Sequence, residues 1–369
     1  MQPGKITPPT FEPRCLATTI GSLPHKDVRR GTELMFASTP KIPSWVQFPR
    51  RVFHENMMVQ FTEGMPALVE DGDRVYFDTQ AADYTDQLTQ FYDRYLRVIE
   101  ADDTDALAHF RISTKYSAGF EAFTAHLSET VDSIVMLKGQ VTGPFTQGIN
   151  LMDQGRRCAY YDETLRDVIT KSVAMKAKWQ LAQLSRFRKP LIIFLDEPSL
   201  LGFGSQTFIT VSEQDIIGDI NEVVSVIHAQ GALAGVHCEE DTDWSLLMST
   251  DLDILDFDAY DHLQAMTLYP DELHGFFKRG GILGWGIVPT LDQEAAATET
   301  TETLLARIEA GLERFEEKGF ERSTLLSQAL ITPSCGAGGV LTEPLAERVL
   351  EILPEVSRTL RERYGLDEG

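Results

Sequence analysis

The chemistry this chain can perform is concentrated in a few short stretches. In VHCEEDTDW, His237, Cys238 and Glu239 stand side by side at the end of an apolar run. On a strand, successive side chains point to opposite faces, so His237 and Glu239 share a side and Cys238 faces the other. A His and a carboxylate two apart, joined by a distant thiolate, can hold a tetrahedral Zn²⁺. The distant thiolate is Cys335 in TPSCGAGG, where glycines let backbone approach a ligand. Asp258, closing DILDFD, can add an oxygen ligand. The same residues also suit a plain structure, with Cys238 a small buried hydrophobe, Cys335 a loop thiol and the acids solvated. In LDEP, Asp196 and Glu197 can bind a substrate ammonium or act as acid and base, or they can cap a helix. TTIGSLP offers the amides of Gly21 and Ser22 to a carboxylate or other anion, and TGP at 142–144 reads as a tight loop against a ligand.

These residues need elements to position them. Short apolar, β-branched runs recur at Leu16–Ile20, Trp45–Phe48, Ser133–Leu137, Pro190–Leu195, Ala232–His237, Asp253–Phe257, Gly281–Ile287 and Ala329–Thr332. Amphipathic stretches fill most intervals: Asp162–Arg186, Ser212–Gln230, Glu299–Lys318 and Glu343–Arg363. SEQD at 212–215 is a helix start signal. Near-continuous apolar strands alternating with helices imply a parallel sheet covered on both faces. Eight such units predict an α/β fold, a (β/α)8 TIM barrel. Such barrels carry their chemistry at the C-terminal strand ends, where Ile20–Ser22, Asp196, His237, Asp258 and Cys335 all fall. Residues 63–110 read as a mostly helical insertion in the first third. No linker or repeat divides the chain, so residues 1–369 are expected to form one elaborated domain.

Composition excludes several classes. With 56 acidic against 33 basic side chains the net charge is −23, and no basic run exists to neutralise phosphates, so nucleic acid is not an expected partner. No apolar run approaches the roughly 18 residues of a membrane span. Four scattered cysteines without a CxxC pair or a secretory leader point to free thiols and a cytoplasmic location.

The order of TTIGS, TGP, LDEP, a His-x-ligand strand end and a late PxCG resembles the catalytic C-terminal half of cobalamin-independent methionine synthase. More broadly, it resembles the uroporphyrinogen decarboxylase and methionine synthase barrel superfamily. The resemblance covers most of the chain at the level of motif order. It implies a zinc-dependent methyltransferase that moves a methyl group from a corrinoid or folate donor (a methylcorrinoid or methyltetrahydrofolate) to a small-molecule thiol such as homocysteine. It further implies that Ile20, Gly21 and Ser22 meet the substrate's carboxylate and Asp196 its amino group. His237 and Cys335 would be metal ligands, with Asp258 where the family places a glutamate. Where the family has His-x-Cys, this chain has Glu239, with Cys238 displaced by one. Two further readings accompany it: a decarboxylase-like lyase using Arg50 and Arg51 on a tetrapyrrole, and a non-catalytic partner of a corrinoid protein.

Overall fold

The computed structural model describes residues 11–203, 211–239 and 242–366. Ten strands are present among them: β1 (Leu16–Ala17), β2 (Leu68–Asp71), β3 (Arg74–Phe77), β4 (Leu137–Thr142), β5 (Met152–Asp153), β6 (Leu191–Asp196), β7 (Leu233–Cys238), β8 (Ile254–Phe257), β9 (Ile282–Val288) and β10 (Ala329–Pro333). Seven form a parallel sheet in the order β1-β10-β9-β8-β7-β6-β4. Its two edges are linked by the extended segment around Ile42–Phe48, through parallel bridges Ser44↔Lys138 and Ser22↔Gln47. Trp45–Phe48 is therefore a bridging segment rather than the expected regular strand.

Alternation sorts the strand residues into two cores. Ile42, Met136, Ile192, Phe194, Leu233, Ile254, Ile282 and Leu330 pack together inside the curl. Ile193, Leu195, Val236, Cys238, Leu255, Phe257, Trp285 and Ile331 pack outward against the helices. The covering helices include Glu163–Leu184, Glu213–Ala229, Thr301–Glu317 and Glu343–Tyr364. Ser212 caps the second of these by accepting Asp215 N, as SEQD predicts.

Two expectations need correction. The strand predicted at Ser133–Leu137 runs instead from Leu137 to Thr142, because Val131–Ser133 forms a 3-10 turn and the strand's inward positions are polar: Lys138, Gln140 and Thr142. The first-third insertion is helical over Tyr84–Ala101, Thr104–Leu107 and Ala108–Phe110, and it also holds two strands that the helical expectation leaves out. Its helix Tyr84–Ala101 follows a β2–β3 hairpin, and β5 from later in the chain adds a third strand.

Candidate metal centre

The inward face of the strands is apolar at its floor and polar at its C-terminal end. His237 lies on the inward face of β7, in phase with Leu233, and is 2% exposed. Its Nδ1 meets Asp256 Oδ1 at 2.7 Å, while Nε2 is buried and has no hydrogen-bond partner among the described residues. A carboxylate oxygen accepts from Nδ1–H, so in the neutral imidazole Nε2 is the nitrogen that presents its lone pair. Burial works against the imidazolium, yet the hydrogen bond and charge of Asp256 outweigh it and raise the His237 pKa.

Glu239 follows β7, and Cys335 follows β10. Thr290 fixes Cys335 twice, accepting its N–H at 2.9 Å and donating to its carbonyl at 3.0 Å. The Cys335 thiol donates to Glu239 Oε1 at 2.7 Å. Burial, then the Glu239 charge, push that thiol well up from its usual range. One donor atom from each of His237, Glu239 and Cys335 lies within 4.8 Å of the others. A tetrahedral ion with bonds of about 2.0–2.3 Å holds its ligand atoms roughly 3.3–3.8 Å apart, which falls inside that limit. An imidazole with a free lone pair, a carboxylate and a thiol suit zinc, and three protein donors leave one tetrahedral position open.

Among the described residues, the remaining expected ligands stay outside this group. Cys238 packs in the outer core, facing away from His237 as alternation requires. Asp258 turns Oδ1 onto Tyr260 N at 2.8 Å and Asp261 N at 3.0 Å, and burial raises it to about 6. Its Oδ2 is buried and unpartnered among the described residues.

The LDEP pair separates into two roles. Glu197 is fully buried, and its carboxylate accepts Phe145 N at 3.0 Å and Thr146 N at 2.7 Å. It therefore caps the helix Pro144–Asn150, and burial raises its pKa to about 7. A Cβ at Gly143 would lie 2.2 Å from Glu197 Oε1, which explains the glycine of TGP. Asp196 pairs in register with His237 and keeps a buried Oδ1 without a hydrogen-bond partner among the described residues. Burial raises it to about 6.

The TTIGS turn is largely committed to structure. Lys138 Nζ donates to Ile20 O at 2.8 Å, Gln47 N donates to Gly21 O at 3.0 Å, and Gly338 N donates to Ser22 Oγ at 3.2 Å. Gly21 has φ +138°, and a Cβ there would lie 2.6 Å from the Gln140 side chain. Arg51 pairs with Glu55 at 2.6 Å, and Arg50 donates to Gly339 O at 2.5 Å. Sequence reasoning missed Asp256, Thr290 and Lys138. The signal for Asp256 was a charged residue at an inward position of an otherwise apolar strand; Lys138 gave none, because its strand is polar along the whole inward face.

No protein-family model matches the chain, and no curated protein matches it. Among solved structures, it is similar to one described as "Differential inhibition of the tandem GH20 catalytic modules in the pneumococcal exo-beta-D-N-acetylglucosaminidase, StrH". The likeness has a TM-score of 0.37 at 10% identity, over 96% of this chain and 90% of that chain. The methyltransferase expectation is corrected here. The solved structure it is similar to is described as a glycosidase module and not as a methyltransferase, and at this TM-score and identity the likeness assigns the chain no activity. With Cys238 facing away, the donor set holds a single thiol. Among the described residues, no helix is long and apolar enough to cross a membrane.

Proposed function

We propose that His237 Nε2, the Glu239 carboxylate and Cys335 Sγ hold one zinc ion, and that the protein is a single-metal enzyme whose nucleophile is water. We place this centre at the mouth of a closed (β/α)8 barrel in which the segment around Ile42–Phe48 stands as the eighth stave. Two observations carry the reading: a ring nitrogen of His237, a carboxylate oxygen of Glu239 and the Cys335 thiol lie within 4.8 Å of one another, and His237 Nε2 is buried without a hydrogen-bond partner among the described residues. An unpaired polar atom in such a place is costly unless a ligand completes it.

When bound, the ion supplies a Lewis acid that polarises a substrate oxygen or acidifies a water molecule. The chain's own residues do the rest. Asp196 stands on the neighbouring strand with an Oδ1 that has no hydrogen-bond partner among the described residues, suited to accept an N–H or O–H of the substrate or to move a proton. Thr290 keeps Cys335 in place, and the glycines after Cys335 let the loop close over Ser22. The order of TTIGS, LDEP and PxCG supports a scaffold shared with the methionine synthase-like superfamily, without that family's reaction.

The test is turnover by zinc-loaded protein on a panel of small esters, amides and glycosides. Hydrolysis that needs zinc and disappears in His237→Ala supports the reading. Turnover that survives both chelation and His237→Ala overturns it.

A further inference from the structure

Among the buried groups that the reading above leaves unused are Lys138, Asp256 and Thr332, and the last two form a continuous link to the ligands. Asp256 is fully buried on β8, and both of its oxygens are engaged. Oδ1 meets His237 Nδ1 on β7 at 2.7 Å, and Oδ2 accepts from Thr332 Oγ1 on β10 at 2.8 Å. β10 is not a neighbour of β8, because β9 lies between them. The reach across β9 depends on Gly284, the residue in register with Asp256. A Cβ at Gly284 would stand 2.0 Å from Asp256 Oδ2 and 2.8 Å from its Cβ, so any side chain there would displace the carboxylate. Thr332 lies three residues before Cys335 on the strand that leads to it.

We infer that Asp256 is a positioning residue for the metal centre: it fixes the His237 tautomer and, through Thr332 across the gap at Gly284, sets the separation between His237 and Cys335. The inference rests on the metal reading above and adds how the ligands are held. A carboxylate that can only accept keeps the proton on Nδ1 and aims Nε2 at the ion, while its negative charge makes the imidazole a stronger donor. Its second oxygen holds the strand of the other ligand at a fixed distance. Removing such an outer partner commonly weakens metal binding about 10–100-fold.

The experiment is a zinc titration against a chromophoric chelator, on the full chain, for the native protein and for Asp256→Ala, Asp256→Asn and Thr332→Val, with the thermal midpoint of each metal-free protein alongside. Asp256→Ala is expected to weaken zinc binding about 10–100-fold. Asp256→Asn keeps an acceptor for Nδ1–H and an amide facing Thr332 Oγ1, so it is expected to recover most of that loss. This recovery, between variants of equal metal-free midpoint, is one that a purely structural role would not give. Thr332→Val keeps the shape and removes only the donor; it carries the test if Asp256→Ala does not fold, with a several-fold loss expected. Native-like affinity in the Asp256 variants that fold and in Thr332→Val overturns the positioning role while leaving the metal reading intact. A native protein that binds no zinc overturns both.

Discussion

Cys335 Sγ lies 2.7 Å from Glu239 Oε1, although 96 residues separate them in sequence. The contact joins the loop after β10 to the loop after β7, over a histidine whose outward nitrogen has no partner among the described residues. A thiol and a carboxylate this close offer two donors to one ion, which binds as the thiol gives up its proton.

Cys238 and Asp258 are expected to be dispensable for metal binding. Cys238 packs in the outer core, and Asp258 is turned onto Tyr260 N and Asp261 N. Cys238→Ala and Asp258→Asn should each retain native zinc stoichiometry by elemental mass spectrometry. Loss of zinc in either would return that residue to the ligand set.

Glu197 is expected to act on stability and not on chemistry. Glu197→Ala leaves two buried N–H groups at the start of the helix Pro144–Asn150 without acceptors. The cost should be about 3 kcal/mol, read from urea unfolding. Glu197→Gln keeps an acceptor, so it should lose less and bind zinc as the native chain does.

Asp219 gives the stability a pH dependence of definite sign. It accepts Tyr160 Oη at 2.8 Å, with Arg166, Asp215 and Glu222 nearby. Burial dominates and raises its pKa from 3.8 to about 6. A raised carboxyl pKa favours the protonated form in the folded state. Its stabilising contribution is thus complete below about pH 4 and is lost as pH rises through about 6. Asp219→Asn should remove that slope, so its stability relative to the native chain should change by up to about 3 kcal/mol between pH 4 and 7. Parallel urea midpoints for the two proteins across this window would contradict it.

Gly119 is expected to tolerate no side chain. It is the second residue of the helix Ala118–Thr130, which packs on the segment joining the sheet's edges, and a Cβ there would meet Val46 O at 1.8 Å. That neighbour is backbone and cannot swing aside. Gly119→Ala should cost about 3 kcal/mol or more, or yield insoluble protein, where a surface glycine such as Gly218 should accept alanine without loss.

The later strands were legible in sequence because Leu191–Asp196, Leu233–Cys238 and Ile282–Val288 are buried on both faces and read as apolar runs. The strand Leu137–Thr142 was misplaced because its inward face holds Lys138 and Gln140, whose polar ends are met by Ile20 O and Trp45 O from elsewhere in the chain. Such partners are invisible in a local window. The β2–β3 hairpin was missed for a related reason. It is short and half-exposed, and its third strand, Met152–Asp153, comes from far along the chain. For the site, alternation alone separated His237 and Glu239 from Cys238. What sequence could not supply was the reach of Asp256 past Gly284, or the use of both Glu197 oxygens by a helix start, since each depends on the sheet being assembled.

The central claim is that His237, Glu239 and Cys335 bind one ion, and metal content tests it most directly. Protein purified without added metal, then loaded with zinc and dialysed, is measured by elemental mass spectrometry beside His237→Ala and Cys335→Ala. About one zinc per native chain is expected, with loss of it in both variants. A native chain that holds no zinc after loading, or variants that hold as much as the native chain, would contradict it.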